Sequence, residues 1–146
     1  MFERILLATD GSDHSREALK YAQALAMRDD AQVIVVHAFR PVTTYLEGEM
    51  LDELIARHVA AARDVAQEAA RQMENAGVDV VTEVLEGPPT NAILRVVEAR
   101  QPDLIVMGSR GHGELSSLLL GSVSHRVLAH TEVPVLIVRA QKSEAG

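Results

Sequence analysis

The sequence predicts an α/β fold, an open, doubly wound sheet of five parallel strands with helices on both faces. Two observations carry that expectation. The apolar pattern alternates along the whole chain between short β-rich runs and stripes at helical spacing, in the order βαβαβαβαβ. Most of the runs are continuously apolar, as in Val33-Ile34-Val35-Val36, Leu104-Ile105-Val106-Met107 and Val135-Leu136-Ile137-Val138. Strands of that kind are covered on both faces, as in a parallel sheet. Right-handed crossovers between consecutive strands then build the open sheet.

The five runs are Ile5–Thr9, Gln32–Ala38, Val78–Leu85, Leu104–Met107 and Pro134–Val138. The third, Val78-Asp79-Val80-Val81-Thr82-Glu83-Val84, is more polar and reads as an edge strand. Between the first two runs, Ala18, Leu19, Ala22, Leu25 and Ala26 form one helical stripe, with Ser12 or Asp13 as N-cap. A longer stripe runs through Met50, Leu51, Leu54, Ile55, Ala62, Val65, Ala66, Ala69 and Met73, and Gly77 suits the C′ position that ends it. A third helix starts at Pro88-Pro89, where proline fits the first turn, and buries Ile93, Val96 and Val97. A fourth, shorter one starts near Gly121-Ser122 and carries Val123, Val127 and Leu128. Residues 40–49 are the least patterned internal stretch and are expected to form a mobile loop; residues 140–146 are expected to be a flexible tail. No repeat or linker interrupts the pattern, so residues 1–146 are expected to form one domain.

Composition narrows the function. Of 146 residues, 14 are Lys or Arg and 21 Asp or Glu, a net charge of −7, which argues against nucleic acid and anionic membranes as partners. Two Phe, two Tyr and no Trp leave no aromatic surface for stacking bases. Without cysteine there is no disulfide, thiolate zinc site or cysteine nucleophile. The opening MFERILLATDG carries Glu3 and Arg4 and too short an apolar stretch for a signal peptide. No run reaches the roughly 18 apolar residues of a membrane span. The expectation is a soluble, cytoplasmic chain with no membrane insertion. The histidines at 14, 37, 58, 112, 125 and 130 show neither H-x3-H nor H-E-x-x-H spacing, so no zinc site is expected.

In an open parallel sheet, ligands bind beyond the carboxyl ends of the strands, where strand order reverses. Thr9-Asp10-Gly11-Ser12 follows the first strand, and His37-Ala38-Phe39 closes the second. After the fourth strand, Gly108 to Gly121 holds four of the nine glycines. It matches neither the P-loop nor the G-x-G-x-x-G fingerprint. Its chemistry still suits an anion. Gly108 and Gly111 are expected to take positive φ and let backbone N–H groups converge on a phosphate. Gly121-Ser122-Val123-Ser124 would put free amides and two hydroxyls at a helix N-terminus. Arg110 adds a fixed positive charge.

The spacing Gly108-x2-Gly111-x9-Gly121-Ser122 resembles the ATP-binding signature of the universal stress protein family, G-x2-G-x9-G-S/T. The likeness extends over the chain, through Ile5-Leu6-Leu7-Ala8-Thr9-Asp10-Gly11-Ser12, Val35-Val36-His37-Ala38, Asp103-Leu104-Ile105-Val106-Met107-Gly108 and Val133-Pro134-Val135-Leu136-Ile137-Val138. It implies a Rossmann-like sheet of order 3-2-1-4-5, with the switch point between strands one and four. It also implies ATP, or AMP or ADP, as ligand. Asp10 would meet ribose or a bound Mg²⁺, directly or through water. Ala8, Thr9 and Ala38 would pack beside adenine, and Ala8 and Ala38 are smaller than the Pro or Val common there. Met107, Gly108, Ser109, Arg110 and Gly111, with Gly121, Ser122, Val123 and Ser124, would surround ribose and phosphates. The resemblance further implies a homodimer through residues 133–139 and an unidentified regulatory protein partner. Of the function classes this leaves, a nucleotide-binding regulatory module leads. A slow ATPase or autophosphorylating enzyme would have to draw on Asp10, Arg110, Ser122 and Ser124, with His112 and Glu114 as substitute water activators. A nucleotide-free, chaperone-like dimer is the third.

Overall fold

The structure, a computed structural model, describes residues 1–109 and 120–139. The strands are β1 (Arg4–Ala8), β2 (Gln32–Phe39), β3 (Asp79–Glu86), β4 (Leu104–Gly108) and β5 (Val135–Val138), and the helices α1 (Asp13–Asp29), α2 (Gly48–Asn75), α3 (Pro89–Arg100) and α4 (Ser122–His130). The five strands form one parallel sheet in the order β3-β2-β1-β4-β5. The expected fold class and strand order are both met, and β3 lies at an edge as its polarity requires.

Local chemistry explains where the helices begin and end. Ser12 caps α1, its hydroxyl accepting the N–H of Ser15 at 3.3 Å. Pro88 precedes α3 and Pro89 opens it, where a missing N–H costs nothing. Gly77 follows α2 with φ +90°, its N–H donating to the Glu74 carbonyl at 2.9 Å. Gly121 is the N-cap of α4. α2 starts earlier than the unpatterned stretch 40–49 suggests, since Gly48 and Glu49 already belong to it.

Period-two alternation along the buried strands divides the core into two layers. Ile5, Leu7, Val33, Val35, Leu104 and Val106 face α1 and α2, where Ala18, Ala22, Ala66 and Met73 cover them. Leu6, Ile34, Val36, Ile105 and Met107 face α3 and α4, where Ala92, Ile93, Val96 and Val127 cover them. The strand order reverses between the neighbouring strands β1 and β4, and the carboxyl ends of strands at such a point are where open parallel sheets bind ligands. Among the described residues no helix is long and apolar enough to cross a membrane.

Candidate functional site at the ends of β1 and β4

The turn leaving β1 is built from its own side chains. The Asp10 carboxylate accepts the N–H of Ser12 at 2.9 Å, an Asx turn that aims the chain into α1. The Thr9 hydroxyl accepts the Gly11 N–H at 3.3 Å and donates to Ser15 Oγ at 3.2 Å. Gly11 sits at φ +81°, a conformation that favours glycine. The ring Nδ1–H of His37, on β2, donates to the Thr9 carbonyl at 2.8 Å. His37 is thereby the hydrogen-bonded strand-end residue that a half-buried imidazole at this position should be.

The end of β4 is tied to the start of α4. The Gly121 N–H donates to the Ser109 carbonyl at 2.6 Å, and the Ser124 hydroxyl donates to the Gly108 carbonyl at 2.8 Å. The Ser109 N–H donates to the Val138 carbonyl of β5 at 2.8 Å. Ser109 Oγ lies 3.2 Å from His14 Nδ1, which brings the first turn of α1 to the same point.

Two sequence expectations need correction here. Gly108 is a strand residue without positive φ; the positive-φ glycines among the described residues are Gly11, Gly48, Gly77 and Gly87. A Cβ at Gly108 would stand 2.7 to 2.9 Å from the Cβ, carbonyl carbon and carbonyl oxygen of His14, so glycine is needed there for close helix–strand packing. The second correction concerns the helix start. Of the hydroxyls expected to serve a ligand there, that of Ser124 is only 2% exposed and already donates to Gly108. The Gly121 amide, too, is committed to Ser109.

The other nominated residues fall into place around this junction. Ala8, Ala38 and Val123 are half-buried and pack on the α3/α4-side core to which Met107 belongs. They supply an apolar wall of small side chains beside β1 and β2. Met107 and Ser109 are themselves buried. Ser122 is exposed at the first position of α4. Arg110 and Gly111, with His112 and Glu114, lie outside the described residues. His37 is the hydrogen-bonded strand-end residue that the sequence suggests, whereas His14 is a supporting residue that sequence reasoning missed. His14 and Ser109 are 95 residues apart, so no spacing rule could have paired them.

Fold and site together define a doubly wound parallel α/β fold in which glycine- and serine-containing turns meet at the switch point. Residues 1–139 match the model of the universal stress protein family. The chain belongs to the universal stress protein family. It is 42% identical over 139 residues to the "Universal stress protein in QAH/OAS sulfhydrylase 3'region" of Thermus aquaticus, covering 95% of this chain and 100% of that one. Among solved structures, that of MJ0577, a protein of Methanocaldococcus jannaschii, superposes with a TM-score of 0.85 at 29% identity, over 98% of this chain and 99% of the other. A universal stress protein crystallised in complex with cAMP superposes with a TM-score of 0.72 at 26% identity, over 96% and 99% of the two chains.

Proposed function

We propose that this chain is an ATP-binding, stress-response regulatory module that works as a homodimer, with nucleotide occupancy altering the surface presented to a protein partner. The observation that carries the reading is the junction of β4 and α4. The Gly121–Ser109 and Ser124–Gly108 hydrogen bonds bring Gly108 and Gly121 of the glycine signature together, near the Asp10 turn and the Ala8, Ala38 and Val123 wall. The related structure holding cAMP supports a nucleotide as the class of ligand. ATP, with AMP or ADP in its place, fits a site with a helix N-terminus for phosphate and a small apolar wall for adenine.

Asp10 is the residue assigned to ribose hydroxyls or to Mg²⁺. One carboxylate together with nucleotide phosphates is a sufficient protein contribution for Mg²⁺, which keeps most of its water. The metal would neutralise phosphate charge. Asp10 would orient it while its bond to the Ser12 N–H holds the turn.

Denaturing the purified protein and identifying released nucleotide by absorbance and mass tests the reading directly. ATP titration with Mg²⁺ tests the residues. Gly121→Val, in a protein that remains folded, should weaken ATP more than tenfold, about 1.4 kcal/mol. Asp10→Asn keeps a side-chain oxygen for the turn and removes the charge, and should also weaken ATP. Unchanged affinity in both variants sinks the site.

Holding ATP does not by itself turn it over, because rate requires interactions that strengthen in the transition state. We therefore expect single-turnover hydrolysis far below the roughly 1 s⁻¹ floor of ordinary enzymes. Faster turnover, abolished by His112→Ala or Glu114→Gln, would replace the regulatory reading with an enzymatic one.

A further inference from the structure

The apolar stripe of α2 is twice as long as the core that receives it. Its carboxyl half lays Ala62, Ala66, Ala69, Ala70 and Met73 on the sheet, all buried. From Gly48 to Ala61 no residue is buried. The same helical stripe nevertheless continues there through Leu51 and Ile55 at spacings of three and four residues, flanked by Met50 and Leu54. The geometry explains the mismatch. A helix of 28 residues is about 42 Å long, at roughly 1.5 Å per residue. It is anchored at the strand ends by His58, whose Nε2–H donates to the Arg40 carbonyl at 2.7 Å and whose ring meets Phe39. Residues before His58 run beyond the sheet. The exposed half also carries the bulkier side chains: Met50 is 64% exposed, Ile55 41% and Leu46 37%, with Tyr45 fully exposed just before the helix.

Charge selects what can cover this face. Residues 41–56 hold Glu47, Glu49, Asp52 and Glu53 and no Lys or Arg. All four acids are exposed, and Arg57, the next cation along the helix, stands 3.9 Å from Glu53. A second copy meeting the same face about a two-fold axis would set these acids against themselves. We propose that the amino-terminal half of α2, with Tyr45 and Leu46, is a docking surface for a basic amphipathic helix of a partner protein. The partner's Leu- or Met-type side chains pack on Met50 and Ile55, and its Lys or Arg side chains meet Glu49, Asp52 and Glu53. The inference is independent of nucleotide binding.

The test is a fluorescence-anisotropy titration of the full chain with a labelled Leu/Lys amphipathic helix of about five turns. Met50→Asp/Ile55→Asp and Glu49→Lys/Glu53→Lys should each weaken binding at least tenfold, whereas Glu74→Lys/Glu98→Lys, the same charge change elsewhere, should change it less than twofold. A probe with Ser in place of Leu should not bind. Circular dichroism checks that each variant is folded. Equal weakening by the two charge-reversal pairs would reduce the effect to net charge and overturn the proposal. So would unaltered binding by Met50→Asp/Ile55→Asp. A fall in solution mass of that variant would instead make the face a contact between copies and equally overturn it.

Discussion

Gly108 shows how a signature glycine can be required for a reason other than its ligand. Its backbone is ordinary strand, but the space for a Cβ is filled by the backbone and Cβ of His14 at 2.7 to 2.9 Å. Backbone cannot yield as a flexible side chain does, so Gly108→Ala must push α1 away from β4. The expected loss is about 1–3 kcal/mol of stability, read from urea unfolding. Gly121 differs. Its φ of −64° is open to any residue, so backbone conformation does not require glycine there. Wild-type stability for Gly108→Ala would return Gly108 to the phosphate-facing role its position in the signature suggests.

Elements of this fold are joined at their ends by side chains that satisfy backbone groups. At the carboxyl ends, His37 holds β1, Ser124 holds β4 and His58 holds the segment after β2. At the opposite end of the sheet, Asp29, the last residue of α1, accepts the Phe2 N–H at 2.8 Å and pairs with Arg28 at 2.9 Å. The Arg28 guanidinium, then the Phe2 N–H, hold its carboxyl well below the usual carboxylate range. A carboxyl depressed in the folded state adds stability above its unfolded pKa and loses it as the pH falls towards the folded value. Asp29→Asn should therefore be less stable than wild type at neutral pH, and the gap should narrow as the pH falls from about 5 to 2. Chemical denaturation across that range is the measurement. A gap that stays constant would assign the effect to packing.

At the scale of the molecule, β5 links the candidate site to an open edge. The Ser109 N–H donates to Val138, so the residue following β4 is bonded directly to the edge strand. Val135 and Ile137 pack towards α3 and α4, Leu136 and Val138 towards α1 and α2, and three of the four are only half-buried. An apolar edge of this kind invites a second strand. We expect a dimeric mass by light scattering at micromolar concentration. Ile137→Lys, placing a charge in that edge, should shift the chain towards monomer. A monomeric wild type contradicts the homodimer. If dimerisation and ATP affinity are coupled through Ser109 and Val138, Ile137→Lys should also change the ATP titration.

The architecture was legible in the sequence because its determinants are local or periodic. Continuous β-branched runs require strands covered on both faces, the helical stripes fill the crossovers, and Ser12, Pro89 and Gly77 punctuate the helices by their own backbone chemistry. The candidate site was read from the same local pattern, since ligands in such sheets lie beyond strand ends. Tertiary structure decided what the residues there do. It spends the Ser124 hydroxyl on the Gly108 carbonyl and sets His14 against Gly108 from 95 residues away. It also decides which half of one unbroken stripe is core. Leu51 and Ile55 obey the same helical pattern as Ala66 and Met73, yet the strands end near His58, so only the second half meets a sheet. Periodicity specifies which face of a helix is apolar; the length of its neighbours determines how much of that face is covered.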